Sequence, residues 1–131
     1  MRRAKAVGVW LVQALMCVAM AGTGVQKFTV PAWERMFRAW GYPDHFYLVI
    51  GAVEVLGGLA LLVPKVAAPA AVVLMVVMVA AAITRLTNGG SVVGELVFSA
   101  LLGLIAWSRR EHFSHVLRAT SYVPRTRARR T

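Results

Sequence analysis

The stretch DHFYLVIGAVEVLGGLALLVP, residues 44–64, decides how the rest of the chain is read. Between Asp44 and Pro64 it holds one charged residue, Glu54. A helix needs roughly 20 mostly apolar residues to cross the hydrocarbon core of a bilayer, so the stretch reads as one spanning helix. Asp44 suits the N-cap, because its side chain accepts from free N–H groups of the first turn. Pro64 suits the stop, because it has no N–H and clashes with the turn before it. Gly51, Gly57 and Gly58 would weaken a soluble helix, but in a membrane they let neighbouring helices approach closely. A carboxylate at mid-depth costs roughly 2.5–3.5 kcal/mol on insertion scales, so Glu54 is expected to have a partner or a task.

The rest of the chain has the same character. It has 131 residues, of which 59% are hydrophobic, well above the ~45–50% of soluble domains. The apolar residues come in blocks, which predicts an all-α integral membrane protein of four spanning helices. The spans are expected at about 6–24, 45–63, 66–86 and 91–107, together forming a transmembrane domain over 1–108. The first run follows Arg2, Arg3 and Lys5 and contains Ala19-Met20-Ala21, a pattern that a cleaved signal peptide shares. Removing it would leave an odd number of spans, so it is read as a span. Gln13, its strongly polar interior residue, is expected to bond a neighbouring helix. Lys27 is expected at or just beyond the membrane edge. The short Pro64-Lys65 link returns the third span antiparallel to the second.

Residues 31–40 are too short to span. Trp33, Met36, Phe37 and Trp40 recur at helical spacing on one face, and Glu34, Arg35 and Arg38 fall on the other. This predicts an interfacial helix, either a simple anchor or a lid over a pocket below it. Residues 109–131 form a basic tail, with a surface helix extending to about Thr120.

The net charge of +10 does not point to nucleic acid, because the basic residues gather at the two chain ends beside apolar segments. With both termini in the cytoplasm, 11 of the 15 Lys and Arg residues lie inside and four, Lys27, Arg35, Arg38 and Arg85, lie outside. This bias predicts a multi-pass protein of a bacterial cytoplasmic membrane with both ends inside. A single cysteine, Cys17, excludes an intrachain disulfide and a CxxC relay. His45 near one face and His112 and His115 in the tail cannot clamp a haem within the bilayer. No metal site is expected from the spacing of His, Cys and carboxylates, and no intrinsic cofactor motif is present.

This topology gathers Lys27, Glu54, Arg85 and Glu95 in the outer half, one from each span and neutral in sum. Intramembrane charges usually face inward and pair, so a set of interhelical ion pairs is one reading. The other is an outward-facing polar pocket for a quinone headgroup or sulfur oxyanion, with Glu54 as the candidate catalytic group exchanging a proton.

Three strings, Gly24-x-x-Lys27-Phe28, Met36-Phe37-x-x-Trp40-Gly41-Tyr42-Pro43 and Gly51-x-x-Glu54-x-x-Gly57-Gly58-x-x-Leu61-Leu62-x-Pro64, resemble the DoxX and DoxX-like membrane proteins of bacteria and archaea. The likeness runs from about Gly24 to Leu86, and the helix layout extends it to about Trp107. The family takes its name from a small membrane subunit of an archaeal thiosulfate:quinone oxidoreductase. The resemblance therefore implies a small subunit associated with a quinone-linked membrane oxidoreductase, in contact with lipid and with partner subunits or copies of itself. It implies motif roles for Lys27 and Glu54 only, and supplies no catalytic mechanism. Two alternatives stay open: a non-catalytic scaffold subunit on the flank of a respiratory or photosynthetic complex, and a small oligomeric transporter.

Overall fold

The structure, a computed structural model, describes residues 2–121. It is all-helical over those residues: α1 (Arg2–Thr29), α2 (Pro31–Ala39), α3 (Phe46–Ala60), α4 (Ala67–Thr87) and α5 (Val93–Thr120). The part of the expected basic tail beyond Ser121 lies outside the described residues.

α1 buries Gln13, Met16, Cys17, Met20, Gly24 and Lys27. Their spacing of three and four residues makes one inward stripe. Val7, Leu11, Leu15, Val18 and Val25 on the same helix are exposed. The helix thus turns two of its polar groups inward and much of its apolar surface outward. α4 does likewise: Ala67, Ala71, Leu74, Met78 and Ala82 are buried, while Val72, Val76, Val79 and Ile83 face out. α1 packs along α3 and α4 packs along α5, and these two interfaces are far more extensive than those between the pairs. The core that joins the pairs contains Met16 and Met20 of α1, Leu61 after α3, Leu74 and Met78 of α4, and Leu102 and Ile105 of α5.

The element boundaries correct several expectations. α1 does not end at Gly24 but continues to Thr29, so Lys27 is a helical residue, buried at 5% exposure. Gly24 does not break the helix because it faces another backbone; Pro31 sets the limit instead. Asp44 does not cap α3. The N-cap is His45, at φ 64°, and makes no side-chain cap bond. Asp44 lies 3.8 Å from Arg38 Nε instead. His45 in the left-handed region turns the chain sharply from the α2 side into α3, a conformation uncommon for a non-glycine residue.

α3 ends at Ala60, short of the expected limit at Val63. Pro64 has no N–H to offer the Ala60 carbonyl. That carbonyl accepts from Val63 N at 3.1 Å, in a tighter turn. α5 runs through Arg109-Arg110 to Thr120 without a break, because neither Pro nor Gly interrupts 104–120. Among the described residues two helices, Arg3–Thr29 and Ala67–Thr87, are long and apolar enough to cross a membrane; Phe46–Ala60 is apolar but shorter.

Candidate functional site

The site grows from a close helix crossing. A Cβ on Gly24 would stand 2.7 Å from the Gly51 carbonyl oxygen, and one on Gly51 would stand 3.0 Å from the Gly24 carbonyl oxygen. Only two glycines facing each other allow α1 and α3 to come this near. The two helices are antiparallel, so Lys27 and Glu54, each one turn beyond its glycine, lie on opposite sides of the crossing, and their side chains, which lean back toward the helix N-termini, meet over the glycines. Lys27 Nζ donates to Glu54 Oε2 at 2.7 Å. Both side chains are almost wholly buried, at 5% and 3% exposure. The Thr23 hydroxyl, bonded to the Met20 carbonyl at 3.0 Å, lies 3.4 Å from the same carboxylate oxygen. On its other side the Lys27 ammonium sits over the Trp33 ring, 4.2 Å from the centroid. A cation against an aromatic face gains further stabilisation where water is scarce.

The second pair of charges joins α4 to α5. Arg85 Nε donates to Glu95 Oε1 at 2.6 Å, across the turn at Asn88–Gly90. Glu95 lies in the first turn of α5, where an acid also complements the helix dipole. This pair is wetter than the first, with Arg85 37% and Glu95 12% exposed. The four residues expected to share a site therefore divide into two separate ion pairs, one within each tightly packed helix pair.

Both pairs line one cavity of about 660 Å³ in the seam between the two helix pairs. Trp33, Phe37 and Trp40 of α2 line it on one side, with Tyr42 and Phe46 beside them. Phe37 is buried and lies within 5.4–6.4 Å, between ring centroids, of Trp33, Trp40, Tyr42, Phe46 and Tyr47. Tyr42 stacks on Phe46 at 5.1 Å. Its hydroxyl shares a hydrogen bond with Thr84 of α4, which ties the aromatic roof across the seam. Met36, grouped by spacing with the aromatic face, is half-buried and does not line the cavity.

Sequence reasoning missed Thr23, Tyr42, Phe46 and Thr84. The signal for Thr23 was available: it stands four residues before Lys27, on the same helical face. Tyr42 and Thr84 are 42 residues apart, and nothing local links them.

A second polar knot lies at the opposite end. Gln13 donates through Nε2 to the Leu61 carbonyl. Its Oε1 accepts from Arg109 Nε at 2.9 Å and Nη2 at 2.7 Å. Gln13 thus bonds a neighbouring helix, and it does so on two sides. Among the described residues, no buried side-chain nitrogen or oxygen lacks a partner.

The DoxX-like family pattern matches residues 11–108, three quarters of the chain and every residue that lines the cavity. The chain belongs to the DoxX-like family. No curated protein and no solved structure matches it. For a DoxX-like chain, the two helices of spanning length and apolarity indicate a small membrane protein.

Proposed function

We propose that this DoxX-like chain is a four-helix membrane bundle in which α1, α3, α4 and α5 all cross, and that its outer cavity receives a quinone headgroup for a quinone-linked membrane oxidoreductase. The observation that carries the reading is the 660 Å³ cavity, which combines an aromatic roof with two ion pairs in an apolar surround. Pockets for small ligands have this make-up: mostly apolar walls and a few convergent polar groups.

The membrane part of the reading draws support from large apolar side chains exposed along all four helices, among them Leu15, Leu56, Val76 and Leu96. Such a surface is costly in water and natural in lipid. α3 is short, about 22 Å by helical rise. The apolar turn Leu61–Val63 extends it, and local thinning of the bilayer accommodates the remainder. The excess of basic residues at the end holding Arg3, Lys65, Arg109 and Arg110 supports an orientation with that end in a bacterial cytoplasm.

The cavity residues fit a flat ring with polar oxygens at its edges. The aromatic roof offers stacking faces, and Lys27 and Arg85 are the donors near carbonyl oxygens. A quinone takes up two protons with two electrons. Glu54 and Glu95 are the groups that would hold protons, and the electrons come from a redox centre on a partner subunit. A second reading, a non-catalytic scaffold, is favoured by one observation: both acids already have basic partners, so the fold needs no ligand to satisfy them.

Quinone titration of the full chain in nanodiscs separates the two. Trp10 and Trp107 are first replaced by Phe, so that Trp33 and Trp40 report. Menadione should quench their fluorescence saturably, and Gly94→Leu should abolish the quenching. A Cβ at Gly94 meets no atom within 4 Å although the residue lines the cavity, so the variant fills space without a clash. Absence of saturable quenching in the parent protein would reject the quinone reading and leave the scaffold.

A further inference from the structure

At the end opposite the cavity, a groove of about 650 Å³ lies between α1 and α5. Lys5, Gly8, Val9, Leu104, Ser108 and Arg109 are among the residues that line it, and no acidic side chain does. Lys5 is exposed, and among the described residues it has no acidic partner. Arg109 uses Nε and Nη2 to grip Gln13 and sits 5.1 Å from the Trp10 ring centroid. Its guanidinium is therefore held in place, while no acid among the described residues neutralises its charge.

We propose that this groove binds an anionic phospholipid, with the phosphodiester between Lys5 and Arg109 and the first part of one acyl chain along Gly8, Val9 and Leu104. Charge complementarity carries the choice of ligand. Two cations and a hydroxyl line the groove together with apolar side chains, and no acid among the described residues does. A planar guanidinium with fixed orientation suits phosphate oxygens, and basic pockets between spanning helices on the cytoplasmic side hold acidic headgroups. Gly8 adds a shape argument. A Cβ there would meet nothing within 4 Å, so the missing side chain leaves an open trough at the depth where an acyl chain begins. The site rests on the membrane reading of the fold and is independent of the quinone reading. Its two cations also lie outside the stretch that the family pattern matches.

Native mass spectrometry of the full chain, released from detergent with dioleoylphosphatidylglycerol or dioleoylphosphatidylcholine, tests the proposal. The phosphatidylglycerol adduct should predominate, and Lys5→Ala should weaken its retention about fivefold, the effect of one basic residue at an acidic membrane surface. Gly8→Leu should expel the lipid with no loss of thermal stability, since the new side chain points into open space. Arg118→Ala removes the same charge from the same end outside the groove and should change retention little. Equal retention of the two lipids would overturn the proposal. So would an Arg118→Ala effect as large as that of Lys5→Ala, which would mean diffuse attraction. Displacement of the lipid by excess inorganic phosphate would reassign the groove to the free anion. If Gly8→Leu fails to fold, the comparison of Lys5→Ala with Arg118→Ala still decides.

Discussion

Glu54 shows what burial does to a single charge. Its carboxylate is surrounded by apolar side chains and answered by Lys27 at 2.7 Å, with Thr23 nearby. Desolvating two charges costs several kcal/mol per ion, and the attraction between them repays this only while both are present. Removing one partner should therefore be severe. Glu54→Ala is expected to destabilise the protein by about 3–5 kcal/mol, measured as loss of thermal stability in detergent. The double variant Lys27→Met with Glu54→Leu should recover most of that loss, because it leaves no uncompensated charge. If the double variant were as unstable as Glu54→Ala, the pair would not be the source of the effect. Arg85 and Glu95 should behave more mildly, since Arg85 is partly exposed and water can replace its partner. The presence of these charges was legible in the sequence. Which base meets which acid was not, because that depends on helix rotation and crossing.

Among the helices, the glycines set the spacing that the ion pair needs. Gly24→Ala would drive a Cβ to 2.7 Å from the Gly51 carbonyl oxygen. The contact is with backbone, which cannot swing aside, so α1 must move away from α3. We expect Gly24→Ala to cost about 1–3 kcal/mol, as overpacking does, and to lengthen the Lys27–Glu54 contact. Gly22→Ala, where a Cβ meets nothing within 4 Å, should be neutral or slightly stabilising. A difference in melting temperature between the two variants checks this. The turn into α3 has its own tie. Tyr42→Phe removes the bond to Thr84 and should cost about 0.5–1.5 kcal/mol. It should also speed proteolysis of the connection between α2 and α3 if that bond fastens the roof. The helix ends were the least legible feature: Asp44 has the chemistry of a cap, yet the left-handed turn at His45 starts α3 later.

For the molecule as a whole, the distribution of polarity is reversed relative to a soluble fold. Gln13, Lys27 and Glu54 are buried, while Leu, Val and Ile side chains crowd the surface. The bilayer then replaces water as the solvent for the outer faces. The topology proposed from charge can be read directly by cysteine labelling. With Cys17→Ala as background, Asn88→Cys in the α4–α5 turn should react with an impermeant maleimide in intact spheroplasts. Glu111→Cys on α5 should react only after the membrane is opened. Both positions are exposed. Labelling of both without permeabilisation would show that the two ends of α5 do not lie on opposite sides.

The chain's order of apolar blocks, prolines and charges determined an all-helical membrane protein with Lys27, Glu54, Arg85 and Glu95 near one end. These are local properties: block length, period and the positions of Pro and Gly act within a few residues of themselves. Only the tertiary structure decided that the four charges form two separate pairs, that Tyr42 reaches Thr84, and that α2 roofs a cavity rather than lying on open surface. It also joined Gln13 to Leu61 and Arg109, residues 48 and 96 positions away. Such contacts depend on how far each helix is rotated about its axis and how closely its neighbour approaches. Those quantities are set where helices meet, as at Gly24 and Gly51, and no single stretch of sequence contains them.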